Sequence, residues 1–234
     1  MNSFKKGFAD GIPIGLGYLS VSFTFGIMAT ELGFPLWQAV MISALNLTSA
    51  GQVAGLSVMA GLGGPVEMIL TQLVINLRYS LMSLSMTQKV DASMSTGKRF
   101  FFGAFHTDEI YAVAMGQKDK IGSRYFTGLI IAPYVGWTLG TFLGALCGQI
   151  LPEMLSNALS VALYGMFIAI CIPEMKKDYR MLIIVLLAVA IRCLFFWTPV
   201  LKEVSGGFSV IICALVASFT GALFFPIGEE GEKT

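Results

Sequence analysis

Apolar stretches long enough to cross a membrane follow one another along most of the chain. A helix needs about 20 predominantly apolar residues to span the hydrocarbon core of a bilayer. The stretches of this kind are 11–30, 36–60, 66–87, 125–152, 154–173, 181–200 and 204–228. The pattern therefore predicts an all-α integral membrane protein with about seven membrane helices.

The second stretch is too long, and too polar at its centre, to be a simple membrane helix. Residues 32–66 carry no charge over 35 positions, which as a straight helix would measure about 52 Å against a core of about 30 Å. Its central hydrogen-bonding residues and glycine are Asn46, Thr48, Ser49, Gly51 and Gln52. Irregular backbone persists at membrane depth only where protein or a water-filled cavity satisfies it. We therefore predict a broken second helix whose central residues bind substrate.

The third stretch, 66–87, contains the first charge inside a membrane segment. At 100° per residue, Gln72, Asn76 and Tyr79 lie on one stripe of the helix, and Arg78 lies on another. An arginine at membrane depth costs at least about 2.5 kcal/mol unless it is paired or solvated. We expect these polar residues to face the break and bind substrate; for Arg78, the alternative is a purely structural role.

Residues 88–124 form a polar region that contains the aromatic segment 100–116. If Thr107 caps a helix there, Asp108 and Glu109 lie in its first turn, where the helix dipole favours anions. Capping explains both acids without any function, and the alternative is that one of them carries protons. The acids nearest the membrane segments, and hence the candidates for proton coupling, are Asp10, Glu67, Asp108 and Glu109.

Positive charge predicts the orientation in the membrane. Six Lys or Arg residues lie within 89–124 and three within 176–180, so both loops, 88–124 and 174–180, are expected in the cytoplasm. The last two segments then return the acidic C-terminus to the same side. If 36–60 spans the membrane, Lys5 and Lys6 lie outside; if it is re-entrant, only six helices cross and both lysines are cytoplasmic. We favour the spanning arrangement.

The chain reads as a single transmembrane domain with a possible internal repeat. A shift of 114 residues lays 11–87 on 125–201, pairs Arg78 with Arg192 and Gly51 with Gly165, and leaves 204–228 as an additional helix. Repeats of three spans joined on one side are inverted, an architecture of many secondary transporters with sites on discontinuous helices. The sequence thus predicts a possible 3+3 inverted repeat.

Two further features concern the packing of the helices. The glycines Gly136, Gly140, Gly144 and Gly148 recur at a spacing of four, and small residues on one face let another helix approach closely. Pro13 is expected in the first turn of the first membrane helix, where its missing N–H costs nothing.

Composition argues against several classes of function. Hydrophobic residues make up 56% and charged residues 12% of the 234 positions, and the net charge of +1 offers no basic surface for nucleic acid. The cysteines stand far apart, so we expect no metal site and no cofactor. There is a single histidine, His106, which argues against an intramembrane metallohydrolase. A phosphate-binding loop is absent from the sequence, so an ion gradient or a separate subunit would have to drive transport.

An ordered set of short motifs over the first 150 residues resembles the AzlC family. The motifs are Gly11-Ile12-Pro13-Ile14, Phe25-Gly26, Ala50-Gly51-Gln52, Asn76-Leu77-Arg78-Tyr79, Thr107-Asp108-Glu109, and Trp137 with Gly140. The resemblance implies a secondary-transporter subunit that exports leucine, isoleucine, valine or their analogues across the cytoplasmic membrane with a small, hydrophobic, AzlD-like partner. For such a substrate, Trp137 could form part of the apolar wall. The alternatives are a channel or assembly subunit without a site of its own, and an intramembrane enzyme.

Overall fold

The computed structural model describes residues 2–148, 154, 168, 171–172, 175–176, 178–199 and 201–225. Its helices are α1 (Phe4–Glu31), α2 (Leu36–Leu45), α3 (Ala50–Ala60), α4 (Pro65–Met86), α5 (Thr96–Gly103), α6 (Asp108–Met115), α7 (Ser123–Gly148), α8 (Tyr179–Trp197) and α9 (Gly206–Phe224), with a 3-10 turn at Leu201–Glu203. The predicted segment 154–173 and the acidic tail lie mostly outside these ranges.

Four helices among the described residues are long and apolar enough to cross a membrane: α1, α7, α8 and α9. Helix α4 adds a fifth element of sufficient length, since 22 residues measure about 33 Å. It contains two charged residues, Glu67 and Arg78. These helices confirm the prediction of an all-α integral membrane protein.

The first helix begins earlier than predicted. Ser3 is its N-cap, with the side-chain oxygen accepting the N–H of Lys6 at 3.4 Å, so the helix runs through residues 4–10 without a break. Pro13 therefore lies inside α1 and not in its first turn, which corrects that expectation. The proline ring leaves the carbonyl group of Ala9 without its usual helical N–H partner.

The chain divides into two compact units, one of Met1–Val53 with Asn76–Tyr164 and the other of Ala54–Ile75 with Gly165–Thr234. The first unit is organised around α1 and α7, which pack along their whole length through glycines. A Cβ atom at Gly136 would overlap the carbonyl oxygen of Gly15, and one at Gly144 would overlap that of Phe23. The four-residue glycine spacing thus serves helix packing, as predicted.

Helices α1 and α7 run in the same direction, because Gly7 lies against Tyr125 near their starts and Gly148 lies against Ile27 near their ends. The N-terminus is fixed to the start of α7, since Asn2 Oδ1 accepts the N–H of Arg124 at 2.7 Å. Two parallel helices must be separated by an odd number of crossings, and α4 provides one. The re-entrant arrangement of residues 36–60 fits this direction, whereas the spanning arrangement that we favoured does not.

The shared direction of α1 and α7 also bears on the possible repeat. The 114-residue shift pairs these two helices, and paired helices of an inverted repeat would run in opposite directions. This pair therefore does not supply the inversion. The counterpart of the break, around Gly165, lies outside the described residues, so the repeat itself stays a prediction.

Candidate functional site

The second membrane segment is broken where its polarity predicted. Helix α2 ends at Leu45, its C-cap Asn46 is extended with φ −142° and ψ 100°, and α3 begins at Ala50. Ser49 has a φ of +48°, a left-handed conformation that residues other than glycine rarely adopt. Thr48 donates to Asn46 Oδ1 at 2.8 Å. The break is thus an ordered turn held partly by its own side chains.

Gln52 joins the break to α7. Its side-chain amide is buried and donates from Nε2 to the Ile42 carbonyl and to Ser43 Oγ, both at 3.3 Å. Its Oε1 accepts the indole N–H of Trp137 at 2.9 Å. Ser43 in turn lies 2.7 Å from Thr141 Oγ1. Groups of α2 and α7 therefore satisfy both ends of the Gln52 amide.

Tyr18 extends these contacts from Trp137 to α6, and its part was not predicted from the sequence. Its ring packs edge-on against Trp137, with ring centroids 5.2 Å apart. Its hydroxyl donates to Thr107 Oγ1 at 2.6 Å and also contacts the carboxylate of Glu109. A signal was present in the sequence, because Gly11, Gly15 and Tyr18 lie on one helix face.

Thr107 caps α6 as predicted, and its side chain accepts the N–H of Ile110 at 3.3 Å. Asp108 and Glu109 lie in the first turn of that helix. Asp108 also pairs with Arg78, with Oδ2 and Nη1 2.6 Å apart, and the two side chains are 42% and 43% exposed. Burial raises the pKa of the Asp108 carboxyl above its ordinary value, although the Arg78 charge acts in the opposite direction.

Tyr79 lies directly beside this ion pair. The Arg78 guanidinium donates to the Tyr79 hydroxyl at 3.1 Å and its central carbon lies 4.8 Å from the ring centroid. Tyr79 also lines a cavity of about 640 Å³ in the first unit. The predicted stripe residues Asn76 and Tyr79 are half-buried, as is Gln72 in the second unit. That the stripe faces the break stays a prediction.

The cavity is mostly apolar with a few polar groups. Its buried apolar wall comes from Met86, Val90, Met94, Phe102 and Phe126. His106 also lines it, with Nδ1 3.0 Å from Ser83 Oγ, and its Nε2 is buried without a hydrogen-bond partner among the described residues. Ligand pockets in proteins combine these features, a largely apolar lining and a small number of placed polar groups.

The other two candidate acids hold helices together. Asp10 Oδ2 accepts the Tyr125 hydroxyl at 2.7 Å in the first unit. In the second unit, buried Glu67 accepts the N–H of Gly207 at 2.9 Å and contacts the Ser205 hydroxyl at the start of α9. A carboxylate at a helix N-terminus is stabilised by the helix dipole. The contacts of Glu67 therefore indicate a structural role.

The second unit also contains an arginine within a membrane helix. Arg192 of α8 donates to Ser209 Oγ of α9 at 2.6 Å. Among the described residues no group of three or more metal-ligating side chains is present. In contrast to Arg192, the Arg78–Asp108 pair and the apolar cavity both belong to the first unit.

Comparison with known proteins places the chain in a family. The family described as AzlC protein matches residues 13–151. An uncharacterized membrane protein of Archaeoglobus fulgidus is 30% identical over 74% of this chain and 76% of its own. The inner membrane protein YgaZ of Escherichia coli is 22% identical over 93% and 91%. The branched-chain amino acid transport protein AzlC of Bacillus subtilis is 24% identical over 89% and 85%.

No solved structure matches the chain. The family match covers more than half of the sequence, and the three relatives cover most of it and align over most of their own length. The sequence motifs that suggested the resemblance fall largely within the matched range. The chain is a membrane protein and belongs to the AzlC family.

Proposed function

We propose that the chain is the large subunit of a secondary transporter that exports branched-chain amino acids across the cytoplasmic membrane. The observation that carries the proposal is the ordered break between α2 and α3, bonded through Gln52 to Trp137. Discontinuous helices of this kind are a recurring feature of secondary transporters. The name of the Bacillus subtilis relative, a branched-chain amino acid transport protein, supports this substrate class.

Proton coupling is part of the proposal. The contacts that run from Gln52 through Trp137 and Tyr18 end at Glu109, next to Asp108. Of the four candidate acids, Glu109 is thus joined to the break by a series of side-chain contacts, and Asp108 is its neighbour in the sequence. Because burial raises the pKa of Asp108, its carboxyl takes up a proton closer to neutral pH than an exposed aspartate would. We propose Asp108 and Glu109 as the proton carriers.

The proposal also includes an orientation of the chain in the membrane and a partner subunit. The N-terminus is bonded to the polar region before α7, as the contact between Lys6 Nζ and Gln117 Oε1 at 3.1 Å illustrates. Lys5, Lys6 and the charges of 88–124 then lie on one side of the membrane, which the positive-inside rule makes the cytoplasm. A small AzlD-like membrane subunit is proposed as the partner, on the family resemblance alone.

Cells challenged with a toxic leucine analogue test the proposed export. The chain is expressed with and without the small subunit, and intracellular analogue is measured against a matched strain carrying the empty vector. Export predicts lower accumulation in at least the strain that carries both chains. A labelled acidic amino acid serves as the control and should accumulate equally in every strain. Equal accumulation of the leucine analogue in all strains would reject export of this substrate.

A further inference from the structure

We propose that the Arg78–Asp108 pair and the neighbouring apolar cavity form one binding site for a small zwitterion with an apolar side chain. The inference rests on the proposed function and places its substrate at α4, α6 and the loop before α6, away from the helix break. It assigns Arg78 to the substrate carboxylate and Asp108 to its ammonium group.

The charge pair has the chemistry that a zwitterion requires. A guanidinium group presents a planar fork that matches a carboxylate, and an aspartate accepts the hydrogen bonds of an ammonium group. Arg78 and Asp108 lie 2.6 Å apart, and each side chain is more than two-fifths exposed. A substrate that inserts between them replaces one ion pair with two, so neither charge is left without a partner.

The cavity lies beside this pair because two residues link them. Tyr79 lines the cavity and accepts a hydrogen bond from Arg78. His106 lines it as well and precedes Asp108 by two residues. The volume of about 640 Å³ falls in the range of small-molecule sites. An apolar side chain that leaves water for this lining would strengthen binding about 10- to 100-fold.

The break offers less to a charged ligand. Both ends of the Gln52 amide already bond to protein groups, and Thr48 bonds to Asn46. Neither a full positive nor a full negative charge lies on residues 46–52. Charge-assisted bonds are about twice as strong as neutral ones, so the Arg78–Asp108 pair is the better match for a zwitterion.

Three probes separate the parts of this site. Binding is measured on the full chain in lipid nanodiscs, with the small subunit where export requires it, for leucine, 4-methylpentanoate, which lacks the ammonium group, and isopentylamine, which lacks the carboxylate. Arg78→Gln should weaken the binding of leucine and 4-methylpentanoate about 10- to 100-fold and leave the binding of isopentylamine unchanged. Asp108→Asn should weaken the binding of leucine and isopentylamine and leave the binding of 4-methylpentanoate unchanged.

A cavity-filling variant tests the apolar half. Ser80 is exposed on α4 and lines the cavity, so Ser80→Leu fills it without displacing a buried side chain and should weaken all three probes about 10-fold. Ser20→Leu is the control, because Ser20 is an exposed serine of α1 that does not line the cavity.

The outcomes distinguish this site from the function on which it rests. The proposed site is wrong if both charge variants weaken the binding of all three probes alike. It is also wrong if Ser80→Leu binds the probes as Ser20→Leu does. Either result could occur while the wild-type chain exports leucine. A wild-type chain that exports no leucine removes the proposed function and this site with it. The opposite selectivity of the two charge variants cannot result from a merely structural ion pair.

Discussion

Gly144→Leu is expected to prevent the folded protein from forming. Any Cβ at this position would overlap the backbone carbonyl of Phe23, and one at the neighbouring Gly140 would overlap the Ser22 hydroxyl and the Leu19 carbonyl. Neither backbone can move without separating α1 from α7 along their shared length. Overpacking a core typically costs about 1–3 kcal/mol, and a clash with the backbone of the facing helix should exceed that range. Size-exclusion chromatography and thermal melting in detergent measure the effect.

Gly17→Leu provides the matched control for this variant. Gly17 lies in α1, and a Cβ atom there would meet no other atom within 4 Å. The two substitutions make the same change in composition and hydrophobicity in one helix pair. A Gly144→Leu protein that elutes as a single species and melts with the Gly17→Leu protein would show that the glycine stripe does not hold the helices together.

Gln52→Leu is expected to abolish leucine transport. The change leaves the buried Trp137 indole N–H without its acceptor, at about 1–3 kcal/mol, and removes the amide donor from Ser43, which keeps its contact with Thr141. The break would then lose its bonds to α7. Trp137→Phe removes only one of these bonds and should lower transport less.

The control for Gln52 is Gln38→Leu on α2, where the side chain is half-buried. Initial rates of leucine efflux and melting temperature are compared for the three variants. Gln52→Leu should fall furthest in both quantities, and Gln38→Leu should remain close to wild type. Equal efflux for Gln52→Leu and Gln38→Leu would mean that the polar links to the break are dispensable.

Several local features of the fold could be predicted because the residues that determine them are close in sequence. The break at 46–49 follows from polar residues within an overlong apolar stretch, and the cap at Thr107 follows from the two acids after it. The glycine stripe of α7 is visible as a spacing of four. In each case a single helix period or segment length carries the information.

Long-range pairings could not be predicted in the same way. Tyr18 meets Thr107 and Glu109 across 89 and 91 positions, and the ion pair joins residues 78 and 108. Each of these side chains has a satisfactory local explanation, as a ring in an apolar helix, a snorkelling arginine or a capping acid. Only the contacts of Tyr18 with α6 and of Arg78 with Asp108 in the folded chain show that they belong together.

The direction of α1 relative to α7 could not be predicted from the sequence either. Positive charge alone left Lys5 and Lys6 on either side, depending on whether 36–60 spans the membrane. The glycine contacts show that the helices are parallel, and this agrees with the re-entrant arrangement. Hydropathy could not distinguish the two arrangements, since α2 and α3 are each apolar and only 10 and 11 residues long.

Gradient-driven leucine flux in proteoliposomes tests whether the chain is a proton-coupled exporter. The purified chain and its small subunit are reconstituted into vesicles loaded with labelled leucine, and efflux is followed with and without an imposed pH gradient. A proton-coupled exporter of branched-chain amino acids predicts efflux that the gradient accelerates, that a protonophore abolishes, and that labelled glutamate does not share. Leucine efflux equal to that of protein-free vesicles under every gradient would show that the two chains do not transport leucine.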